Sequence, residues 1–262
     1  MKYKLVAMDL DGTLLGLDKK ISQETVDLIQ EKAASGVVFT IATGRFYHSA
    51  LPYARQLGLD VPIITYNGAM IKASLSEQVY HHLTLDLELA RQAIGLIQPH
   101  EGMRFLFYDD VIATDAGEAA VPYEFALKVN FRYETDLLAT ANREPTMVVF
   151  RVPEANTPEL TARLTGHLGD RVHITNSLPF FIEINHPEAD KGRALAKLGK
   201  TLGIRREEII AIGDSYNDLE MVEYAGLGAF VGNAPEVLKA KGDYAADGHR
   251  EEGVREILSK FL

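Results

Sequence analysis

Asp9 and Asp11 stand two residues apart at the end of an apolar run, in KLVAMDLDGTLLG, residues 4–16. On an extended segment such a pair shares one face, so the two carboxylates point the same way and repel. Burying either is costly unless something positive offsets it. Two more polar clusters follow apolar runs, Thr43-Gly44-Arg45 and Gly213-Asp214-Ser215-Tyr216-Asn217-Asp218, and Lys191-Gly192 opens a helix. Brought to one edge, these residues supply acids, a hydroxyl, a lysine and backbone amides. Carboxylates crowded in one crevice need a divalent cation, and an oxygen-only donor set selects Mg²⁺ over zinc or copper. Thr43, Lys191, Asn217 and the amides of a helix N-terminus are donors suited to phosphate oxygens. A carboxylate beside the metal can then attack phosphorus and form an acyl phosphate. Its neighbour can protonate the leaving alcohol and later deprotonate water.

The surrounding chain reads as alternating strands and helices over its first 66 residues. Leu5–Leu10, residues 37–42 and residues 62–66 are buried strand candidates. Between them lie a helix capped by Ser22, with Val26, Ile29 and Ala33 on one face and Gly36 at its end, and a second from about Phe46 to Leu57, closed by Gly58. This βαβαβ rhythm predicts a parallel sheet with helices on both faces. It then breaks. Asn67-Gly68 opens a hairpin-like stretch, AMIKA against QVYHH. A helix follows with Leu87, Ala90, Ile94 and Ile97 on one face. Strands are expected at 103–108 and 111–114, flanking Asp109-Asp110, and at 146–152, 171–175 and 180–185, with a helix across Pro158–Leu168. The alternation returns with a helix over 191–202 behind Asp190 as N-cap, strands ending at Gly213 and starting at Leu227, and a C-terminal amphipathic helix. The fold class expected is therefore α/β, a Rossmann-like parallel-sheet core built from residues 1–82 and 187–262. An α+β domain, residues 83–186, is inserted into it.

Bulk composition narrows the function classes. The chain has 262 residues, 47% hydrophobic, a formal charge of −10 and no cysteine. That charge argues against a broad nucleic-acid or anionic-membrane surface, while leaving room for a small anion held by local cations. Neither disulfides nor thiolate chemistry is available. The N-terminus lacks the apolar run of a signal peptide, and no stretch is long enough to span a membrane, so a cytoplasmic protein is expected.

DLDGTLL, TGR, KG and GDSYND, in this order, resemble the four signature motifs of the haloacid dehalogenase superfamily of phosphohydrolases. The long stretch between the second and third motifs, and TYNGA at residues 65–69, are similar to its Cof-type, class IIB branch, whose cap is inserted at that point. The resemblance implies a Mg²⁺-dependent phosphatase of small phosphorylated metabolites. It implies Asp9 as nucleophile and metal ligand, and Asp11 as general acid/base with its backbone carbonyl on the metal. It implies Leu10, Thr43, Gly44, Lys191 and Asn217 as phosphate-binding, and Asp214 and Asp218 as further metal-site acids. Arg45, Asn67 and Gly68 are candidates for the substrate rim.

Plainer readings exist for several of these residues. Thr43 also fits a strand residue capping the next helix, Arg45 a surface ion pair, and Asn67-Gly68 an ordinary hairpin turn. His81 and His82 are adjacent on a strand, so they face opposite sides and cannot share a metal. Glu183, between Ile182 and Ile184, is expected on the solvent side. Two other functions share parts of this pattern. A phosphomutase of the same superfamily has its cap between the first two motifs, which here are too close to hold one. A receiver-like phospho-accepting signalling module is about half this length and has no insert.

Overall fold

The structure, a computed structural model, describes residues 2–58, 60–109, 111–117 and 130–262; Asp110, expected in a turn, lies outside them. The chain divides into two compact units, one of Met1–Arg45, Ala50–His81 and Asp190–Leu262, the other of Phe46–Ser49 and His82–Ala189.

The first unit opens with strand β1 (Leu5–Met8), helix α1 (Gln23–Ala34), β2 (Val38–Ile41), α2 (Tyr47–Gln56), β3 (Pro62–Thr65), β4 (Met70–Ala73) and β5 (Val79–His82). All four residues of β1 are fully buried, the apolar-on-both-faces composition of a central parallel strand. The strand stops at Met8, two residues short of the expected Leu10. The Asp9 amide still donates to Ile212, but the carbonyls of Asp9 and Leu10 then accept from Leu14 and Leu15, which turns the chain away from the sheet. Helix α1 is capped by the Ser22 hydroxyl, which accepts from the Thr25 amide. It buries Thr25, Val26 and Ile29, while Ala33, expected on that face, is exposed. Asn67-Gly68 lies in a 3₁₀ turn between antiparallel β3 and β4, and β4 in turn neighbours β5.

The second unit contains α3 (Leu87–Ile97), β6 (Met103–Phe107), β7 (Val111–Thr114), β8 (Asn130–Tyr133), α4 (Leu137–Thr140), β9 (Met147–Arg151), α5 (Thr157–Leu168), β10 (His173–Thr175) and β11 (Phe181–Asn185). Its sheet runs β10-β11-β9-β6-β7-β8, antiparallel except for the β7–β8 pair. One core of this unit joins Ala90, Ala93, Ile94 and Ile97 of α3 and Leu160 and Leu164 of α5 to Leu106, Val148, Phe150, Ile182 and Ile184. Strand β8 and helix α4 were not anticipated from the sequence. Glu183 does take the face opposite Ile182 and Ile184, yet it is buried rather than solvent-facing. Its cross-strand row continues through Val149 and Phe105, also buried. Thr175 and Ser177 donate their hydroxyls to its two carboxylate oxygens.

The chain re-enters the first unit with α6 (Lys191–Leu202), β12 (Ile209–Gly213), α7 (Leu219–Tyr224), β13 (Leu227–Phe230), α8 (Glu236–Lys239), β14 (Tyr244–Ala245) and α9 (Glu251–Phe261). The five parallel strands are ordered β14-β13-β12-β1-β2, and an Ala42–Ile64 bridge carries the sheet on to β3. Leu195 and Leu198 of α6 pack on Leu5, Ala7 and Ile209, with Met221 and Phe230 in the same cluster. From β1 the chain winds outward through β2. From β12 it winds the other way through β13 and β14. The crevice beyond the carboxyl ends of β1 and β12 is therefore the topological switch point, where open α/β sheets bind ligands. Among the described residues, no helix is long and apolar enough to cross a membrane.

Candidate active site

Asp9 follows β1 and Asp214 follows β12, so the parallel pairing Met8–Ile212 places both at the switch point. Carboxylate oxygens of Asp9, Asp214 and Asp218 lie within 4.8 Å of one another, the one such acidic group among the described residues. Lys191 is fully buried and donates to Asp9 Oδ1 at 2.7 Å and Asp218 Oδ1 at 2.6 Å. It is the first residue of α6, behind Asp190, whose carboxylate accepts from the Arg193 amide as N-cap. A lysine in a helix's first turn opposes the helix dipole; here the two acids offset that cost.

The charge balance of this cluster is its main electrostatic fact. Three carboxylates share one ammonium. Burial pushes the Asp9 carboxyl well above the ordinary carboxylate range; Lys191 opposes the shift, and the charges of Asp218 and Asp214 add to it. Burial, seconded by the charge of Asp218, also lifts Asp214 to about 6, against the hydrogen bond from Thr13. Lys191 is raised as well, which for an ammonium favours the charged form. Burial alone would lower it, but the charges of Asp218 and Asp9 raise it above its ordinary value. With every group ionised the cluster carries two net negative charges, the complement of one divalent cation.

Each acid is held by neighbours. Asp214 accepts from the Thr13 hydroxyl at 2.8 Å, and Asn233 Nδ2 bridges the Gly12 carbonyl at 2.9 Å and Asp214 Oδ2 at 3.4 Å. Asp218 uses Oδ2 to accept from the amides of Asp214 and Ser215, closing the loop after β12 on itself, and Oδ1 to accept from Lys191. Gly12 has φ +90°, and a Cβ there would stand 2.2 Å from Asp214 Oδ2. A Gly12→Ala substitution therefore combines left-handed backbone strain with a clash. It should destabilise the protein by about 2 kcal/mol or more, read from the urea midpoint, and push Asp214 off its partners.

Asp11 stands apart from the cluster. Arg45 donates to it with two nitrogens, Nε to Oδ2 at 2.5 Å and Nη2 to Oδ1 at 2.8 Å, and Lys19 Nζ adds a bond to Oδ1 at 2.9 Å. Burial would raise this carboxyl, but the Arg45 bonds and charge, followed by those of Lys19, hold it at about 2. Arg45, a candidate for the rim or for a surface ion pair, forms a half-buried ion pair with Asp11. Its fork is spent on Asp11.

The remaining expected positions fall around a second junction. Thr43 is buried; its amide donates to Ile64, and its hydroxyl accepts from the Arg45 amide. Leu10 is fully buried. Asn67, expected at the rim, is buried at 1% exposure. Its Oδ1 accepts from Asn217 Nδ2 at 3.1 Å and lies 2.8 Å from where a Cβ on Gly44 would stand. Tyr66 and Asn67 both have φ 54°, followed by Gly68 at 100°, where a Cβ would meet the Asp190 carbonyl at 2.2 Å. The strained turn thus seats Asn67 between the Thr43-Gly44 loop and Asn217, and lays Gly68 against the start of α6. His81 and His82 do part company, towards Lys197 and Thr146. The sequence reading missed Asn233, Thr13, Lys19 and Tyr53. Applying the strand-end rule to LGAFVGNA, whose Asn233 follows β13, would have found the first of these.

Comparison with known proteins agrees with this geometry. The family model for haloacid dehalogenase-like hydrolases matches residues 6–258. The chain is 31% identical to the 5-amino-6-(5-phospho-D-ribitylamino)uracil phosphatase YitU of Bacillus subtilis, over 100% of this chain and 98% of that protein. It is 31% identical to the HMP-PP phosphatase of Serratia proteamaculans, over 91% and 87%. A haloacid dehalogenase-like hydrolase from Bacteroides thetaiotaomicron superposes with a TM-score of 0.86 at 28% identity, covering 100% of both chains. A match this complete, on a chain whose acids gather at the switch point of a parallel sheet, makes the protein a member of the haloacid dehalogenase-like hydrolase family.

Proposed function

We propose that the protein is a Mg²⁺-dependent phosphatase of small phosphomonoesters that works through an aspartyl-phosphate on Asp9. The observation that carries this reading is the cluster of Asp9, Asp214 and Asp218 around a single buried lysine, two charges short of neutrality. All its donors are oxygens, the set a hard divalent cation prefers. Asp9, Asp214 and the Asp11 carbonyl would hold Mg²⁺ directly, with Asp218 supporting the site. The ion supplies charge neutralisation for the transferring phosphoryl group.

The chain's own groups carry the chemistry. The Asp9 carboxylate attacks phosphorus while the ester P–O bond breaks and the leaving oxygen takes a proton from Asp11. Asp11 then removes a proton from water, whose oxygen attacks the phosphorus. The bond to Asp9 breaks and inorganic phosphate leaves. Lys191 holds Asp9 in place and offsets charge on phosphate, with Thr43, the Gly44 amide, Leu10 and Asn217 as the other phosphate contacts. Clamped by Arg45, Asp11 is ionised and ready as the base. To act as the acid it must exchange that clamp for a proton when substrate enters. The core of this enzyme is residues 1–82 and 187–262, and the insert, residues 83–186, chooses the leaving group. The relatives named for a phosphoribitylamino-uracil and for HMP-PP support small phosphorylated metabolites as the substrate class. A screen of such compounds, ranked by kcat/KM, tests the reading; absence of phosphate release from all of them, with Mg²⁺ present, would defeat it.

The metal assignment has a pH signature. With Asp214 raised to about 6 and Asp9 raised as well, the metal-free native state binds more protons than the unfolded chain above about pH 4. That contribution to stability is complete below about pH 4 and is lost as pH rises through about 6. Asp11, held at about 2, has the opposite sign, and its contribution is lost only below about pH 4. The melting temperature in EDTA should therefore fall between about pH 5 and pH 7, and Mg²⁺ should restore more at the higher pH, since it binds deprotonated carboxylates. EDTA should also stop turnover. A metal-free melting temperature that climbed across this range would remove Asp9 and Asp214 as the ligands.

A further inference from the structure

Two cations converge on Asp11 from different parts of the chain, and one residue joins them. Arg45 follows β2, and Lys19 lies in the loop before α1. Tyr53, on α2, touches both. Its hydroxyl accepts from Arg45 Nη1 at 3.4 Å and donates to the Lys19 carbonyl at 3.2 Å. Its ring lies under the Arg45 guanidinium, 5.1 Å from centroid to Cζ, a stacking geometry that favours arginine. The Lys19 loop is closed by hydrogen bonds from Gly16 to Lys20 and from Lys19 to Gly16. Lys19 itself adopts φ 60°, a left-handed backbone that costs a residue with a side chain. The loop thus holds Lys19 against its own preference, with its carbonyl on Tyr53 and its ammonium on Asp11.

We propose that Tyr53 is a positioning residue for Asp11, acting through Arg45 and Lys19. It fixes both cations so that the carboxylate is held in one rotamer, ready to receive a proton from the attacking water. A long arginine and an exposed lysine would each lose orientation without a common anchor, since their free side chains are rich in rotamers. The phenol supplies that anchor with a donor, an acceptor and a flat face. Nothing about Tyr53 touches the reacting atoms, so its effect belongs to the half-reaction that uses Asp11 as the base. This inference rests on the reading of Asp11 as general acid/base.

The test is Tyr53→Phe, which keeps the ring under Arg45 and removes the hydroxyl, assayed with p-nitrophenyl phosphate and Mg²⁺ beside Asp11→Asn and the double variant. Tyr53→Phe should lower steady-state kcat by about fivefold, the usual worth of a hydrogen-bonding group, with KM unchanged. Its rapid-quench burst should persist and phosphoenzyme should accumulate. The double variant should be no slower than Asp11→Asn alone, because the two residues act in series. If Tyr53→Phe raises KM at constant kcat, loses burst and steady state together with a fall in melting temperature, matches the wild type, or adds its full loss on top of Asp11→Asn, the proposal is overturned. If Asp11→Asn itself turns over like the wild type, the acid/base reading fails instead, and with it the reason for Tyr53.

Discussion

An Asp9→Asn variant is expected to fold, to keep its contact with Lys191 and to turn over at least about 10⁴-fold more slowly than the wild type. The amide matches the carboxylate in volume, and its carbonyl oxygen can still accept the Lys191 bond now made to Oδ1. It is a poor nucleophile towards phosphorus and a weak ligand for a hard cation. The same change removes one of three negative charges, two of them buried and that of Asp214 partly so, that share one ammonium. In EDTA at neutral pH the variant should therefore melt at or above the wild-type temperature, since it relieves the burial of a charge, and the repulsion from Asp218 and Asp214, that together lift the Asp9 carboxyl. Activity lost with stability kept or gained is the pattern of a site strained for function. Turnover within tenfold of the wild type would transfer the nucleophile's role to another residue.

Asp11→Asn should act differently. The change leaves the backbone carbonyl where it is, so Mg²⁺ affinity should move only modestly. With Asp11 as the proposed acid and base, it removes the proton donor for the leaving alcohol and the base for water, for a loss in kcat of roughly 10²–10⁴-fold. Half of the Arg45 fork also loses its acceptor, because an amide offers one oxygen where the carboxylate offered two. Substrates with good leaving groups need little protonation, so p-nitrophenyl phosphate should still give a burst, followed by stalled hydrolysis of the phosphoenzyme. A Mg²⁺ titration run beside the quench experiment separates the alternatives. Metal affinity weakened by orders of magnitude, with no trapped intermediate, would mean that the Asp11 side chain itself binds metal. That outcome would contradict its place in the Arg45 pair.

What the sequence made legible was local chemistry. The Ser22 and Asp190 caps, the extents of α1 and α6 and the acids at the ends of β1 and β12 each follow from a few neighbouring residues. What it hid depends on partners far away along the chain. Asn233 matters because it reaches Gly12 and Asp214, and Tyr53 because it meets Lys19 and Arg45; no spacing rule links those positions. Glu183 was misjudged because strict alternation predicts a face but not what covers it, and two hydroxyls suffice to satisfy a buried carboxylate. Asn67 looked like a turn residue and is one. Its burial follows from three successive left-handed residues that turn its side chain inward, a conformation no propensity foretells. Strand β8 alternates polar and aromatic residues over only four positions, Asn130 to Tyr133, none of them fully buried, too short a run to mark it.

Strand β1 pairs with β2 on one side and with β12 on the other, and the second partner, Ile209 opposite Leu5, lies about 200 residues downstream. During synthesis at roughly 5–20 residues per second, the ribosome needs on the order of 10–40 s to deliver it. For that interval a wholly apolar strand has an open edge, the condition under which strands recruit the wrong neighbours. The contiguous stretch His82–Ala189 faces no such delay, since every strand of its sheet is present once Asn185 has emerged. Lys191 emerges just after it and ahead of Asp214 and Asp218. The counter-charge of Asp9 thus leaves the ribosome before the like charges that make Asp9 costly to bury.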